Sequence, residues 1–318
     1  MNNKKSFDIV GVGELLIDFT PVKIDGENYF KENPGGAPCN YLAAAQKYGM
    51  DTAFIGKVGK DAFGYMLKST VESIGIDTSS LILSEKHNTT LAFVHLEENG
   101  ERSFSFYRKG CADIMLENND IDFSLLDRTK AIHFGSLSFT DEPGRSTVLD
   151  LLDRAKEKGL IISYDPNYRP PLWDSEEHAI KEMKSGLKYA DVLKVSDEEA
   201  ELITGEKDLL EAAKILSDYG IRLVFVTLGD KGALYYHKNG HGIVEGRNTK
   251  AIDTTGAGDA FFGSTVAQII EKNVDLNKID NIVIEEILKY SNTAASMCIE
   301  GYGGIPSIQD RENVEKLL

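Results

Sequence analysis

The sequence predicts an α/β fold: a mostly parallel sheet covered by helices on both faces, with a smaller β-sheet standing off it. Three observations carry this. Short, fully apolar runs of strand length alternate with amphipathic segments of helical period. Gly49, Gly75, Gly159 and Gly220 each close such a segment, where a left-handed helix stop is expected. One region breaks the rhythm: residues 89–95 (TTLAFVH) and 102–108 (RSFSFYR) flank Glu98-Asn99-Gly100, an Asn-Gly turn between two strand-like runs.

In order, residues 7–13 (FDIVGVG) read as a strand and 39–48 as a helix. Residues 52–55 are a short strand; Phe63, Leu67, Val71 and Ile74 then share a helical face. Residues 132–137 are a strand, followed by a helix whose face is Val148, Leu151, Leu152 and Ala155. LIISY (160–164) is a strand, 176–189 a helix, VLKV (192–195) a strand, 209–219 a helix and LVFVT (223–227) a strand. Two long helices follow, at 257–272 and 282–299. Residues 15–30 read as an irregular β segment. With the hairpin it makes either a small lid sheet or an edge extension of the main sheet. No linker, repeat or low-complexity tract divides residues 1–318, so one large domain with an insertion, from about 15–33 and 88–112, is expected.

The chain has 318 residues and a formal net charge of -16, with its basic residues scattered. That balance repels phosphate backbones and anionic lipid, so neither a nucleic acid nor a membrane is expected as partner. Cys39, Cys111 and Cys298 form neither a disulfide framework nor a C-x-x-C, and the six histidines show no ligand spacing. Asp8, Glu14 and Asp18 interrupt the first apolar stretch, which excludes a signal peptide or a membrane span there; a cytoplasmic location is expected.

The most informative motif is AIDTTGAGDAFFGS (251–264). Gly256-Ala257-Gly258 lets the backbone turn tightly and present its N–H groups at the start of a helix, an anion site that needs no lysine. Asp259 follows in the first turn. There the positive helix end should keep it ionised, as an orienter of a hydroxyl more than a strong base. The plainer reading is capping, with Thr254 or Thr255 as cap and Asp259 complementing the dipole. A carboxylate beside an anion site is what phosphoryl transfer to an alcohol requires. NPGGAPCNYLAA (33–44) reads as a flexible Gly35-Gly36 turn before a helix that carries Asn40, whose amide suits a sugar hydroxyl. Polar residues also follow the carboxyl ends of the strands: Asp18; Asp165, Asn167 and Arg169; Lys194, Ser196 and Glu199; Thr227, Gly229 and Gly232. In open parallel sheets the ligand crevice lies there. Gly11-Val12-Gly13 lacks the third glycine of a dinucleotide fingerprint, and Ser136 and Ser138 lack a hydrolase elbow. Trp173 reads as a packing residue.

DTTGAGDAFFGS and NPGGAPCN resemble the two signatures of the ribokinase-like (pfkB-type) carbohydrate kinases, and the resemblance runs from about residue 7 to 307. GVGELLIDFTP, FYRKGCADIML, DPNYRPPLW and KVSDEE are most similar to bacterial fructokinases within that family. The resemblance implies a three-layer α/β/α sandwich with a β lid, and transfer of the γ-phosphoryl of ATP to a primary sugar hydroxyl. It implies Asp259 as base, with Gly256, Ala257 and Gly258 as anion hole and Arg169 beside them. Asp18, Gly35, Gly36, Asn40, Arg108, Asp165 and Asn167 fall on the sugar side. Lys194, Ser196, Thr227, Gly229, Gly232 and Asn292 fall on the nucleotide side. Glu199 would organise Mg²⁺ largely through water, although Ser196 stands where the family has Asn. Asp253, Thr255, Cys298, Gly301, Gly303 and Ser307 would hold K⁺. A homodimer through the lid is likewise an expectation from the family. The acceptor expected is D-fructose; 2-keto-3-deoxygluconate, a nucleoside, or a non-catalytic binding role stay open at this stage.

Overall fold

A computed structural model describes residues 6–96 and 102–318. The strands are β1 (Phe7–Val12), β2 (Leu16–Ile24), β3 (Glu27–Gly35), β4 (Thr52–Gly59), β5 (Asp77–Ser84), β6 (Leu91–Leu96), β7 (Arg102–Tyr107), β8 (Thr129–Gly135), β9 (Ile161–Asp165), β10 (Val192–Ser196), β11 (Leu223–Thr227), β12 (Ala233–His237) and β13 (Gly240–Val244). The helices are α1 (Ala37–Tyr48), α2 (Ala62–Ser73), α3 (Gly144–Glu157), α4 (Glu176–Leu187), α5 (Asp197–Thr204), α6 (Leu209–Ser217), α7 (Ala257–Glu271), α8 (Asn281–Cys298), α9 (Gly304–Ser307) and α10 (Arg311–Glu315).

Nine strands form the main sheet, in the order β13-β12-β11-β10-β9-β8-β1-β4-β5. From β11 to β5 every pairing is parallel; β12 and β13 close the other edge as an antiparallel hairpin. Neighbouring residues of β1 show how both faces are covered. Ile9 packs with Leu42, Phe54, Phe262 and Leu288 under α1, α7 and α8. Val10 packs with Phe134, Leu152, Tyr164 and Met183 under α3 and α4. Period-two alternation on a sheet buried from both sides makes continuous apolar strands, so the α/β expectation holds.

The other four strands form a separate sheet, β3-β2-β6-β7. This settles the two readings of the β6/β7 segment in favour of a standing-off sheet. Residues 15–30 are not irregular: β2 and β3 pair in register from Leu16↔Gly35 to Ile24↔Glu27. The β6/β7 register runs from Leu91↔Tyr107 to Leu96↔Arg102, and the Asn-Gly turn expected at 98–100 lies outside the described residues. The sheet is held to α2 by aromatics: Phe19 stacks on Phe93 at 4.9 Å and meets the edge of Phe63 at 5.7 Å. β5, α5 and the β12/β13 hairpin are absent from the sequence reading. Their apolar runs are short or interrupted by Asp, Glu and Gly, and only pairing and capping give them structure.

Candidate active site

Parallel pairing brings the carboxyl ends of the central strands level: Gly135 lies opposite Asp165, and Ser196 opposite Thr227. Beyond them opens a cavity of about 860 Å³. Its floor comes from the loops after β1, β9, β10 and β11 and from the starts of α1 and α7. Asp18, Phe104 and Phe106 of the small sheet also line it. The ligand crevice thus sits where an open parallel sheet places it.

The glycine turn enters α7 without a side-chain cap. Gly256 is the residue before the helix, with φ 81°. Thr254 and Thr255 do not fill the capping role, and both line the cavity with Gly256 and Gly258. A side chain at Gly256 would put its Cβ 2.7 Å from the α-carbon of Gly304; one at Gly258 would come 3.1 Å from Lys194 Nζ. The backbone is therefore pressed against the chain behind it and against an ammonium in front. Uncapped helix donors beside a lysine form a site for an oxyanion. Ala257 is not in the wall; its N–H donates to the Thr254 carbonyl at 3.3 Å.

Asp259, in the first turn of α7, accepts a hydrogen bond from Asn40 Nδ2 at 2.8 Å across 219 residues of sequence. Burial pushes its carboxyl above the ordinary aspartate value, against the opposing pull of Asn40, Lys194 and Arg169. To the helix end considered from the sequence, the structure adds desolvation, which works toward a better proton acceptor.

Asp18 lies at the start of the small sheet, and among the described residues no group donates to its carboxylate. Burial raises its pKa from 3.8 to about 7, with Arg169 lowering it and Asp253 and Asp259 raising it. Gly35, diagonal to it on β3, leaves room for that carboxylate, because a Cβ there would stand 2.1 Å from Asp18 Oδ2. The two glycines are not one flexible turn: Gly35 ends β3, and Gly36, at φ 121°, begins the helix.

Lys194 is buried and pairs with Asp165, Nζ lying 3.0 Å from Oδ2 and 3.2 Å from Oδ1. Burial works against the ammonium, but Asp165, Glu199 and Asp259 outweigh it and hold the lysine charged. Asp165 Oδ1 also accepts from the Asn167 amide at 3.0 Å, which fixes the loop carrying Asn167 and Arg169 into the cavity wall. Ser196 and Glu199 form a reciprocal capping box at the start of α5, at 3.1 and 2.8 Å, and the second Glu199 oxygen accepts from the Tyr168 N–H at 2.7 Å. Thr227 lines the cavity, whereas Gly229 and Gly232 do not. They shape the turn behind it, at φ 62° and 97°. Asn292 lines a second cavity and donates to the Val244 and Glu245 carbonyls at 2.9 and 3.0 Å.

Arg108 is neither a cavity-wall residue nor a surface one. It is buried, and its guanidinium donates to Asp113 Oδ2 (2.6 Å), Thr140 Oγ1 (2.8 Å) and the Leu137 carbonyl (2.8 Å). Its donors are turned to protein, so it ties the base of β7 to the loop after β8. Behind the glycine turn, the buried Asp253 accepts from the N–H groups of Thr255 (2.8 Å) and Gly303 (3.0 Å). Cys298 donates its thiol to the Thr255 carbonyl at 3.7 Å, and Gly301 would clash with Ser307 Oγ at 2.5 Å if it carried a Cβ. Residues from 253 to 307 thus converge on one oxygen-rich spot. Among the described residues, no group of three or more His, Cys, Asp and Glu could hold a metal ion.

Two features of the wall were not legible in the sequence. Phe104 and Phe106, stacked at 5.9 Å, alternate into the cavity from β7. Glu14, between β1 and β2, is buried and lines it as well. An acid in an otherwise apolar run before an Asp was the only available signal.

An α/β crevice with an uncapped glycine turn, a buried lysine and a carboxylate held by an amide has the parts of a phosphotransferase acting on an alcohol. The pfkB family carbohydrate kinase model matches residues 6–311, and the chain belongs to that family. Fructokinase-2 of Solanum lycopersicum is 39% identical over 315 residues, covering 98% of this chain and 95% of its own. A probable fructokinase-2 of Arabidopsis thaliana is 39% identical over 305 residues, 94% of this chain and 92% of its own. The fructokinase of Vibrio cholerae O395, solved in a form with fructose, ADP and calcium ion bound, superposes with a TM-score of 0.90 at 31% identity, covering 99% of this chain and 100% of that one. The Xylella fastidiosa fructokinase with bound ATP gives 0.90 at 28% identity, covering 98% and 97%.

Proposed function

We propose that this protein is an ATP-dependent fructokinase, moving the γ-phosphoryl of ATP to the 6-hydroxyl of D-fructose to give fructose 6-phosphate and ADP. The observation that carries the reading is Asp259, held by Asn40 beside the glycine turn at the floor of the cavity. Fructokinases similar over nearly the whole chain supply the acceptor.

In this reading Asp259 orients the hydroxyl and accepts its proton, and Asn40 keeps the carboxylate aimed. The N–H groups of Gly256 and Gly258, with Lys194 and Arg169, receive the charge of the transferred phosphoryl, while Ala257, its N–H given to Thr254, only shapes the turn. Asp18, Gly35, Gly36, Asn40 and Asn167 hold the sugar. Arg108 is left out of that set because it lies outside the cavity wall, with all three of its nitrogens bonded to protein. Thr227, Gly229, Gly232, Ser196 and Asn292 shape the nucleotide side. The small sheet serves as a lid whose Phe104 and Phe106 exclude water. Each oxygen of Glu199 already accepts an amide, so this residue would hold Mg²⁺ through water more readily than directly. Mg²⁺ would supply charge neutralisation for the phosphoryl oxygens. The carboxylate of Asp253, carbonyls of Thr255, Cys298, Gly301 and Gly303, and Ser307 make an all-oxygen set suited to K⁺, which would brace the turn from behind.

Exposed Phe30 and Tyr107, which flank Phe93 on one face of the small sheet, with exposed Ile24 and Tyr29 on the other, support a homodimer through the lid, testable by sedimentation. No helix of the described residues is long and apolar enough to cross a membrane, and the free cysteines suit a reducing compartment, so we place the enzyme in the cytoplasm. A coupled ADP-release assay over ketohexoses, 2-keto-3-deoxygluconate and nucleosides tests the reading. D-fructose is expected to give the highest kcat/KM, and no release with any acceptor would overturn it.

A further inference from the structure

We propose that Glu14 is a positioning residue for the sugar side of the site, acting through the start of α1. The proposal rests on the sugar-kinase reading above. α1 begins at Gly36 with no side-chain cap of its own. Gly36 has no side chain, Pro38 has no N–H, and the N–H groups of Cys39 and Asn40 both turn back to the Gly36 carbonyl, at 3.1 and 3.0 Å. The Ala37 N–H is therefore the donor left over, and Glu14 Oε1 accepts it at 2.9 Å from 23 residues upstream. A carboxylate at this end of a helix also meets the positive end of its dipole.

What the tie holds is one turn away. Asn40, on the same helix, carries the amide that donates to Asp259. Gly36 is locked from the other side, since a Cβ there would stand 2.4 Å from the Glu14 carbonyl oxygen. Glu14 thus joins the loop that leads from β1 into the Asp18 strand to the helix that aims Asn40. Its second oxygen is buried with no hydrogen-bond partner among the described residues; burial raises its pKa to about 7, against the opposing pull of Arg108. Leaving a buried carboxyl half-satisfied is costly, so a residue doing only packing would be better replaced by an apolar one.

The test compares Glu14→Ala and Glu14→Gln, the second keeping an oxygen for Ala37. Sugar KM is expected to rise about tenfold in E14A, with ATP KM within about twofold, and E14Q to recover most of the loss. Unchanged sugar KM in E14A, ATP KM rising in step, or E14Q as impaired as E14A would overturn the proposal. If E14A does not fold, Glu14→Asp, too short to reach Ala37, takes its place with the same expectations. Hydrogen exchange of a peptide covering 36–48 reads the tie without turnover. Faster exchange in E14A than in wild type or E14Q supports it, and equal exchange in all three overturns it, even if wild type phosphorylates no sugar. Wild-type inactivity alone would count against the kinase reading.

Discussion

Glu199 and Asp18 are two carboxylates in the walls of one cavity, and they have opposite surroundings. Glu199 stands at the start of α5 on the main sheet, with both oxygens filled by backbone amides. Asp18 stands on the small sheet with neither filled, and burial raises its pKa to about 7. The main-sheet wall is finished before any ligand arrives; the small-sheet wall is not. An acid whose oxygens already hold amides shapes the loop around it first, and one left without donors at the cavity wall is open to what enters.

Asp259 lies between these extremes, with one partner and a raised pKa, and gives the largest expected effect. Asp259→Asn should lower kcat by about 10²–10⁴-fold with ATP affinity nearly unchanged, since the backbone donors remain. Near-normal turnover would remove it from the mechanism. The contrast itself is tested next. Glu199→Ala should cost about 1–3 kcal/mol of stability, because two half-buried amides lose their acceptor. Asp18→Ala should leave the melting temperature unchanged or higher, while weakening sugar binding about 10–100-fold. If both variants melt alike, the contrast fails.

The same contrast has a pH signature. Between the ordinary value of 3.8 and about 7, the folded chain keeps a proton on Asp18 that the unfolded chain has lost. Asp18 therefore makes stability fall as pH rises through that window. Sugar affinity runs the other way: only the ionised carboxylate accepts two hydroxyl donors, so Kd should drop as pH rises through 7. Calorimetry at pH 5.5 to 8.5 should show this in wild type and a flatter profile in Asp18→Asn. The smallest effect is expected for Ser196→Asn, which restores the family's residue. Both residues are good helix caps, so stability should change by less than about 0.5 kcal/mol. Chemical denaturation would show a larger change if the capping box depends on serine.

The main sheet was legible because its apolar runs are continuous and its helices are closed by glycine; FDIVGVG and LVFVT leave little choice. The glycine turn and Asp259 were legible because the backbone conformation that presents N–H groups requires those residue types. Arg108 was misplaced because its partners, Asp113, Thr140 and Leu137, come together only when β7 meets the loop after β8. Glu14 was passed over for the same reason, its partner lying beyond a whole hairpin. The desolvation of Asp259 was not legible because local charge can be read from sequence and depth of burial cannot.

Gly304 sits behind Gly256, and a side chain at Gly304 would strike Asn40 Oδ1 at 2.4 Å. The segment after α8 is thus a wedge behind both the glycine turn and Asn40, though it follows them in the chain. A chain still being synthesised, with α7 already formed, would lack that wedge. It could present a loose glycine bend but not a supported one, so competence to handle nucleotide would arrive abruptly, once the segment carrying Gly304 has folded back.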